Sequence, residues 1–185
     1  MSFIKNKGFI LISSILFIII YIFTSTISTD YSWLINIIDY YIKKDIFYNS
    51  AFAAEGGWDI LRIVINSYIV KLFGNLYINY WLMGLVYSLF SIYMLYKLLV
   101  SRYVNKINIY LGVMSYILLA YFTSIYIGTR PENIYVSSIV ILLYTLHKFN
   151  QTNHYKWIYI SSLISIFGAL SHPNGIICHI IYFCY

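Results

Sequence analysis

Long runs of residues without a charge constrain this sequence more than any other feature. Residues 8–28, 75–96 and 107–129 contain no Asp, Glu, Lys or Arg and are rich in Ile, Leu, Phe and Tyr. A helix of ~20 apolar residues is long enough to cross the ~30 Å hydrocarbon core of a bilayer. We therefore predict that each run is a transmembrane helix. The first run is long and has no small-residue cleavage site after it, so we interpret it as an uncleaved span rather than a signal peptide.

Shorter apolar runs continue the pattern towards the C-terminus. We predict spans over residues 133–149 and 157–171, because short spans are tolerated where neighbouring helices bury them. A sixth run, 175–185, is too short to cross a bilayer, so we expect the chain to be a fragment or its last helix to be incomplete. The predicted fold class is all-α: a polytopic transmembrane bundle of about five to six spans that forms a single membrane domain over residues 1–185.

The composition excludes several other classes of protein. Hydrophobic residues make up 61% of the chain and charged residues 10%, whereas a soluble domain has about 25% charged residues. A soluble globular enzyme and a disordered chain are both excluded. The net charge of +6 is spread without a run of five Lys or Arg, so we expect no nucleic-acid partner. Cys178 and Cys184 lack ligands at metal spacing, so we expect no metal site and no cofactor, although a divalent cation stays open.

The distribution of charge predicts an orientation in the membrane. Lys and Arg cluster before the first span and in the loops after the second and fourth spans, and we expect these segments to be cytoplasmic. They comprise Lys5, Lys7, Lys97, Arg102, Lys106, Lys148 and Lys156. The N-terminus is then cytoplasmic, in a multi-pass protein of the cell inner membrane. All the acidic residues fall on the outer side: Asp30, Asp39, Asp45, Glu55, Asp59 and Glu132.

The first outer loop has two segments with helical periodicity. Residues 32–43 and 58–73 each carry polar residues on one face and apolar residues on the other. We interpret them as helices that lie in the membrane interface, with Gly74 ending the second. The alternative is a solvated loop whose helical segments only anchor the protein.

Two short motifs on the outer side supply candidate binding residues. Arg130 precedes Pro131 and Glu132 at the start of a predicted span, and His172 follows the end of a later one. A guanidinium matches phosphate geometry, so Arg130 is a candidate for binding an anionic group, with Glu132 and His172 beside it. The structural alternatives are a snorkelling arginine, a helix start and a tight turn around Pro173.

These residues, taken in order, resemble a known family. Residues 71–74 read Lys-Leu-Phe-Gly at the entry to the second span, 130–132 read Arg-Pro-Glu, and 168–175 contain Ser-His-Pro-Asn-Gly. The arrangement resembles the N-terminal part of the polyprenyl-phosphate-sugar-dependent membrane glycosyltransferases of the GT-C superfamily, closest to the dolichyl-phosphate-mannose mannosyltransferase-like and rhizobial lipopolysaccharide-transferase-like branches. The usual Asp-Glu pair after the first span is here Asp30-Tyr31.

The resemblance implies an activity and partners. A sugar would pass from a polyprenyl-phosphate donor to a cell-surface glycan or lipid acceptor on the outer face of the membrane. Asp30 would be the catalytic base, with Glu55 as the second candidate. Arg130 would neutralise the leaving phosphate, and Glu132 or His172 would orient the acceptor or the phosphate. The lipid bilayer is the other expected partner. The enzyme assignment holds only if the full-length protein continues beyond this chain.

Three other interpretations stay open to different degrees. The segment Glu55-Gly56-Gly57-Trp58 and the late His172 also resemble the exopolysaccharide and O-antigen polymerase-like membrane proteins. A transporter or flippase is disfavoured, because the second and third spans hold no charge at mid-membrane depth. A non-catalytic or truncated multi-pass membrane protein is the third alternative.

Overall fold

The computed structural model describes residues 2–24, 60–74, 77–102, 105–122 and 132–185. Over these ranges the protein is helical and contains no strand, which confirms the predicted all-α fold class. The helices are α1 (Ser2–Thr24), α2 (Ile60–Phe73), α3 (Tyr77–Arg102), α4 (Lys106–Phe122), α5 (Glu132–Thr152), α6 (Tyr155–Ser171) and α7 (Ile176–Cys184), with a 3₁₀ turn at Pro173–Gly175. A helix lies at every predicted span. The predicted helix at 32–43 falls outside the described residues, and so does the start of the one at 58–73.

Residues with left-handed backbone end two of the helices. Gly74 follows α2 with a φ of +84°, the conformation that commonly closes a helix and that glycine adopts without a steric penalty. Asn153 follows α5 with a φ of 51°, and its backbone N–H donates to the Phe149 carbonyl at 2.7 Å. Asparagine is the other residue that tolerates this conformation. Gly74 thus ends α2, and the prediction that it terminates this helix is confirmed.

Contacts between helix ends fix the direction of each helix. Tyr144 of α5 meets Trp157 of α6 edge to face at 6.2 Å, so α5 and α6 form an antiparallel hairpin. Arg102, at the end of α3, donates a hydrogen bond to Tyr185 Oη just after α7. Phe9 of α1 stacks on Tyr110 of α4 at 4.0 Å. Ser91 of α3 also contacts Tyr116 of α4, and Tyr87 of α3 stacks on Phe167 of α6. These contacts show that α1, α4 and α6 run in one direction and α3, α5 and α7 in the opposite direction.

Two apolar clusters lie in the interior of the described part of the chain. One joins α1, α3 and α4, and its buried members are Phe17, Tyr21, Ile92, Tyr96, Ile109, Val113 and Ile117. Ser91 and Tyr116 share a hydrogen bond of 3.0 Å beside it. The other cluster joins α5, α6 and α7 around Leu142, Leu146 and Cys178. The second cluster positions the candidate site, because α5 and α6 make the most extensive contact in the described fold.

Small hydroxyl residues are buried along α5 and α6, and several of them lie where the two helices meet. We call this set the hydroxyl seam; it comprises Ser137, Ser138, Thr145, Ser161, Ser165 and Ser171, all buried. Ser161 Oγ lies 2.8 Å from Thr145 Oγ1 across the two helices. Gly168 belongs to the same face of α6, and a side chain there would collide with Cys178 of α7. Small residues let helix backbones approach closely, which explains the tight packing of this hairpin.

The outer surface of the described bundle is apolar. Among the described residues, 28 large hydrophobic side chains are exposed and 12 hydrophobic residues are buried, while every buried polar residue is Ser or Thr. By length and composition alone, one described stretch, Gly84–Arg102, is apolar and long enough to cross a membrane, and Gly8–Ile22 and Lys106–Leu119 are shorter apolar stretches. α3 continues past the predicted boundary at 96, because Lys97 ends the charge-free run without ending the helix.

Candidate functional site at the His172 end

The turn between α6 and α7 forms one end of the bundle, which we call the His172 end after its central residue. α6 stops after Ser171, whose Oγ donates to the Gly168 carbonyl at 2.7 Å. His172 then has extended backbone, with a φ of −165°. The Gly175 N–H donates to the His172 carbonyl at 2.8 Å and closes the turn. Proline at the next position fixes one backbone angle of the turn, so the imidazole is presented on a short, constrained segment.

One hydrogen bond determines which nitrogen of His172 carries the proton. The backbone N–H of Asn174 donates to His172 Nδ1 at 3.1 Å. An Nδ1 that accepts a hydrogen bond has no proton in the neutral ring, so Nε2 carries it and is a donor. The half-buried His172 therefore presents an N–H donor at Nε2, a group suited to hydroxyl or phosphate oxygens.

The His172 ring stacks on Tyr135 of α5. Their centroids are 5.0 Å apart and the planes differ by 20°. The backbone beside Tyr135 is also held, because the Cys178 thiol approaches the Tyr135 carbonyl with its Sγ at 3.9 Å. Tyr135 lies one helical turn after Glu132, the first residue of α5. The stack therefore brings the start of α5 beside the turn that holds His172.

An apolar cavity of about 280 Å³ lies between α3, α5 and α6. Its lining residues are Val86, Tyr87, Phe90, Ser138, Ile141, Ile164 and Phe167. Tyr87 stacks on Phe167 at 5.7 Å along one wall. Ser138 is three residues after Tyr135, so the cavity begins about one helical turn inside the His172 end. Val86 and Phe90 are also exposed on the apolar exterior, and the cavity is therefore continuous with it.

The predicted site residues have different outcomes. Asp30, Glu55 and Arg130 lie outside the described residues, so their roles stay predictions. Glu132 is the first residue of α5, where the sequence predicted a span to start. His172 is described in full. The part of the candidate site that the structure brings together is thus the start of α5 and the His172 turn.

Two contacts were not predicted from the sequence. One is the stack of Tyr135 on His172, although Tyr135 follows Glu132 at helical spacing and could have been placed on the same face. Ser165 of α6 and His179 of α7 form a hydrogen bond of 2.5 Å from Oγ to Nδ1. Nothing in the hydropathy pattern pairs them. In the described part of the chain, no group of three or more His, Cys, Asp or Glu residues is arranged to hold a metal ion, and both cysteines are free.

No protein-family model, no curated protein and no solved structure matches the chain.

Proposed function

We propose that this chain is the membrane-embedded part of a glycosyltransferase that takes a sugar from a polyprenyl-phosphate donor on the outer face of the cell membrane. The observation that carries the proposal is the stack of His172 on Tyr135, because it joins the two motifs that the sequence nominates independently. Arg130 precedes the first residue of α5 by two positions in the sequence, and we propose that it acts at the same end of the bundle. An Nε2–H donor and a guanidinium together suit a phosphate group.

The membrane location is supported by the apolar exterior of the described helices. Apolar side chains face outward, and every described polar residue that is buried is Ser or Thr. In water this arrangement would leave a large apolar surface exposed. In lipid the exposed apolar surface carries no such penalty. Small residues and interhelical hydrogen bonds hold membrane helices together. We propose five to six spans on this basis, with the N-terminus in the cytoplasm and the His172 end outside.

The proposed reaction is a direct displacement at the anomeric carbon. The acceptor hydroxyl oxygen bonds to that carbon as the bond from carbon to the lipid-phosphate oxygen breaks, and Asp30, or Glu55, takes the hydroxyl proton. General-base assistance contributes ~10²–10⁴-fold. Arg130 stabilises the charge that develops on the leaving phosphate. His172 Nε2–H donates to an oxygen of the donor or acceptor, and Glu132 orients the same groups. The apolar cavity below Tyr135 can accommodate part of the donor's hydrocarbon.

The experiment that tests the proposal replaces His172 in the full-length protein and measures sugar transfer in membranes. His172→Phe keeps an aromatic ring for the Tyr135 stack and removes both ring nitrogens. We expect transfer to fall about 10- to 100-fold, in the range of one lost hydrogen bond to a charged group. His154→Phe is the matched control, because His154 is exposed in the turn at the opposite end of the bundle. Transfer at the wild-type rate by both variants, at equal abundance, would refute a role for His172.

A further inference from the structure

The end of the bundle opposite His172 carries cations from four helices. We call it the Lys148 end, and its charged residues are Lys97, Arg102, Lys106, Lys148 and Lys156. The only acidic residue in the described ranges is Glu132, at the other end of the bundle. The cations of the Lys148 end therefore have no carboxylate partner in the part of the chain that the structure describes.

Helix dipoles do not neutralise these charges. A helix C-terminus carries about −0.5 of an elementary charge and an N-terminus about +0.5. α3, α5 and α7 end at the Lys148 end, whereas α1, α4 and α6 begin there, so the dipoles sum to about zero. Among the residues that the structure describes, the five cations form a positive surface without compensating charge, and such a surface attracts anions.

Three of the lysines pair with aromatic rings at this end. The ammonium of Lys97 lies 5.7 Å from the ring of Tyr93, that of Lys148 lies 5.9 Å from Tyr144, and that of Lys156 lies 5.3 Å from Trp157. Tyr and Trp are enriched at the level of the lipid headgroups. A lysine held over such a ring is at the depth of the lipid phosphates.

The ends of α3 and α5 form the most specific part of this surface. The guanidinium of Arg102 makes one described hydrogen bond, of 3.1 Å from Nη2 to Tyr185 Oη. Lys148 lies near the end of α5, which packs against α3. A phosphate oxygen between the ends of α3 and α5 would give the remaining guanidinium donors an acceptor.

We propose that the Lys148 end binds the phosphate of an anionic membrane phospholipid, held chiefly by Arg102 and Lys148. This inference rests on the membrane location in the proposed function and is independent of the glycosyltransferase activity. The site distinguishes lipids by headgroup charge, because only an anionic lipid brings a net negative charge to the uncompensated cations. Bound lipid joins the C-terminal ends of α3 and α5 and stabilises the bundle on that side.

The test measures which lipid lies next to Trp157. The triple variant Trp33→Phe, Trp58→Phe and Trp81→Phe keeps Trp157 as its only tryptophan. It is placed in bilayers of brominated phosphatidylglycerol mixed with phosphatidylcholine. The quenching gives the affinity of phosphatidylglycerol relative to phosphatidylcholine. We expect a preference that falls about fivefold for each cation removed in Arg102→Gln and Lys148→Gln, and on the order of 25-fold in the double variant. Free inorganic phosphate should displace little of the lipid.

Two controls separate charge from damage to the fold. Arg102→Lys keeps the charge on which the preference between anionic and zwitterionic lipid depends, and it should keep that preference within about twofold. Lys71→Gln removes an exposed cation from the last turn of α2, away from the Lys148 end, and should change nothing. An unchanged preference in the double variant, or an equal loss in Lys71→Gln, would overturn the inference. A chain that does not enter the bilayers at all would refute the membrane location as well.

Discussion

Gly175 is the residue at which a single methyl group should cost most. A Cβ built on Gly175 collides with the carbonyl oxygen of Gly168, a backbone atom in the last turn of α6. The φ of Gly175 is −65°, so its backbone suits any residue and only the close approach demands glycine. The turn that presents His172 is therefore tight because two glycines touch across it.

We expect Gly175→Ala to lower the free energy of unfolding by about 1–3 kcal/mol, the usual cost of overpacking. The measurement is reversible unfolding in detergent, followed by a probe of the contact between α6 and α7. Gly8→Ala is the matched control, because a Cβ at Gly8 meets nothing within 4 Å. Alanine there should be neutral or stabilising by up to ~1 kcal/mol. A destabilisation no larger in Gly175→Ala than in Gly8→Ala would contradict the close contact.

At the scale of helices, the hydroxyl seam is the feature that pairs α5 with α6. Thr145 Oγ1 lies 2.9 Å from the Leu142 carbonyl and Ser161 Oγ lies 2.7 Å from the Trp157 carbonyl, each within its own helix, and the two hydroxyl oxygens are 2.8 Å apart. The bond between the helices forms when one of the two hydroxyls donates to the other in place of its own carbonyl. Ser165 makes the corresponding contact with His179 of α7. Hydroxyls of this kind satisfy one another without charge, which lets the three helices approach closely in an apolar environment.

A double-mutant cycle should detect the bond between Thr145 and Ser161. We expect a coupling energy of about 0.6 kcal/mol, and no more than ~1.7 kcal/mol, between Thr145→Val and Ser161→Ala. Unfolding of the four proteins in mixed micelles gives this value. The control pairs Thr145→Val with Ser101→Ala, because Ser101 Oγ donates within α3 to the Leu98 carbonyl and shares no partner with Thr145. Their effects should add. Additivity in the first pair as well would argue against the interhelical bond.

The sequence predicted the helices better than their contacts, and the reason is physical. Positions of helices follow from charge-free runs and from the cations that interrupt them, and these features are local. Which faces meet depends on the rotation of each helix, which hydropathy does not determine when all faces are apolar. One signal was available: Ser161, Ser165 and Gly168 recur at spacings of four and three, a stripe of small residues that marks a packing face.

Only part of the candidate site was predicted, because contacts between helices do not follow from local sequence pattern. His172 was identified because Pro173 and Gly175 indicate a turn after a predicted span. Tyr135 was missed because its helical spacing from Glu132 does not distinguish it among 22 tyrosines. Its importance comes from a contact between α5 and the turn after α6, which only the folded arrangement supplies.

At the scale of the whole molecule, the alternating helix directions lead to a prediction about topology. Residue 36 belongs to the predicted outer loop, and Asn105 lies at the Lys148 end, just before α4. With Cys178 and Cys184 replaced by Ala, we expect a membrane-impermeant maleimide to label Asn36→Cys in intact cells. Asn105→Cys should react only after lysis. Labelling of Asn105→Cys from outside, with Asn36→Cys protected until lysis, would reverse the proposed orientation.

The apolar exterior described above changes what it means for this protein to denature. Each helix satisfies its own backbone hydrogen bonds, and in the proposed membrane location lipid would surround its apolar outward face, so a helix that separates from the bundle would stay helical. Loss of the native state would then be a separation of intact helices. Circular dichroism would hardly change, whereas a distance reporter between α5 and α6 would respond fully. A melting curve recorded by circular dichroism would therefore not detect destabilising substitutions in the hydroxyl seam.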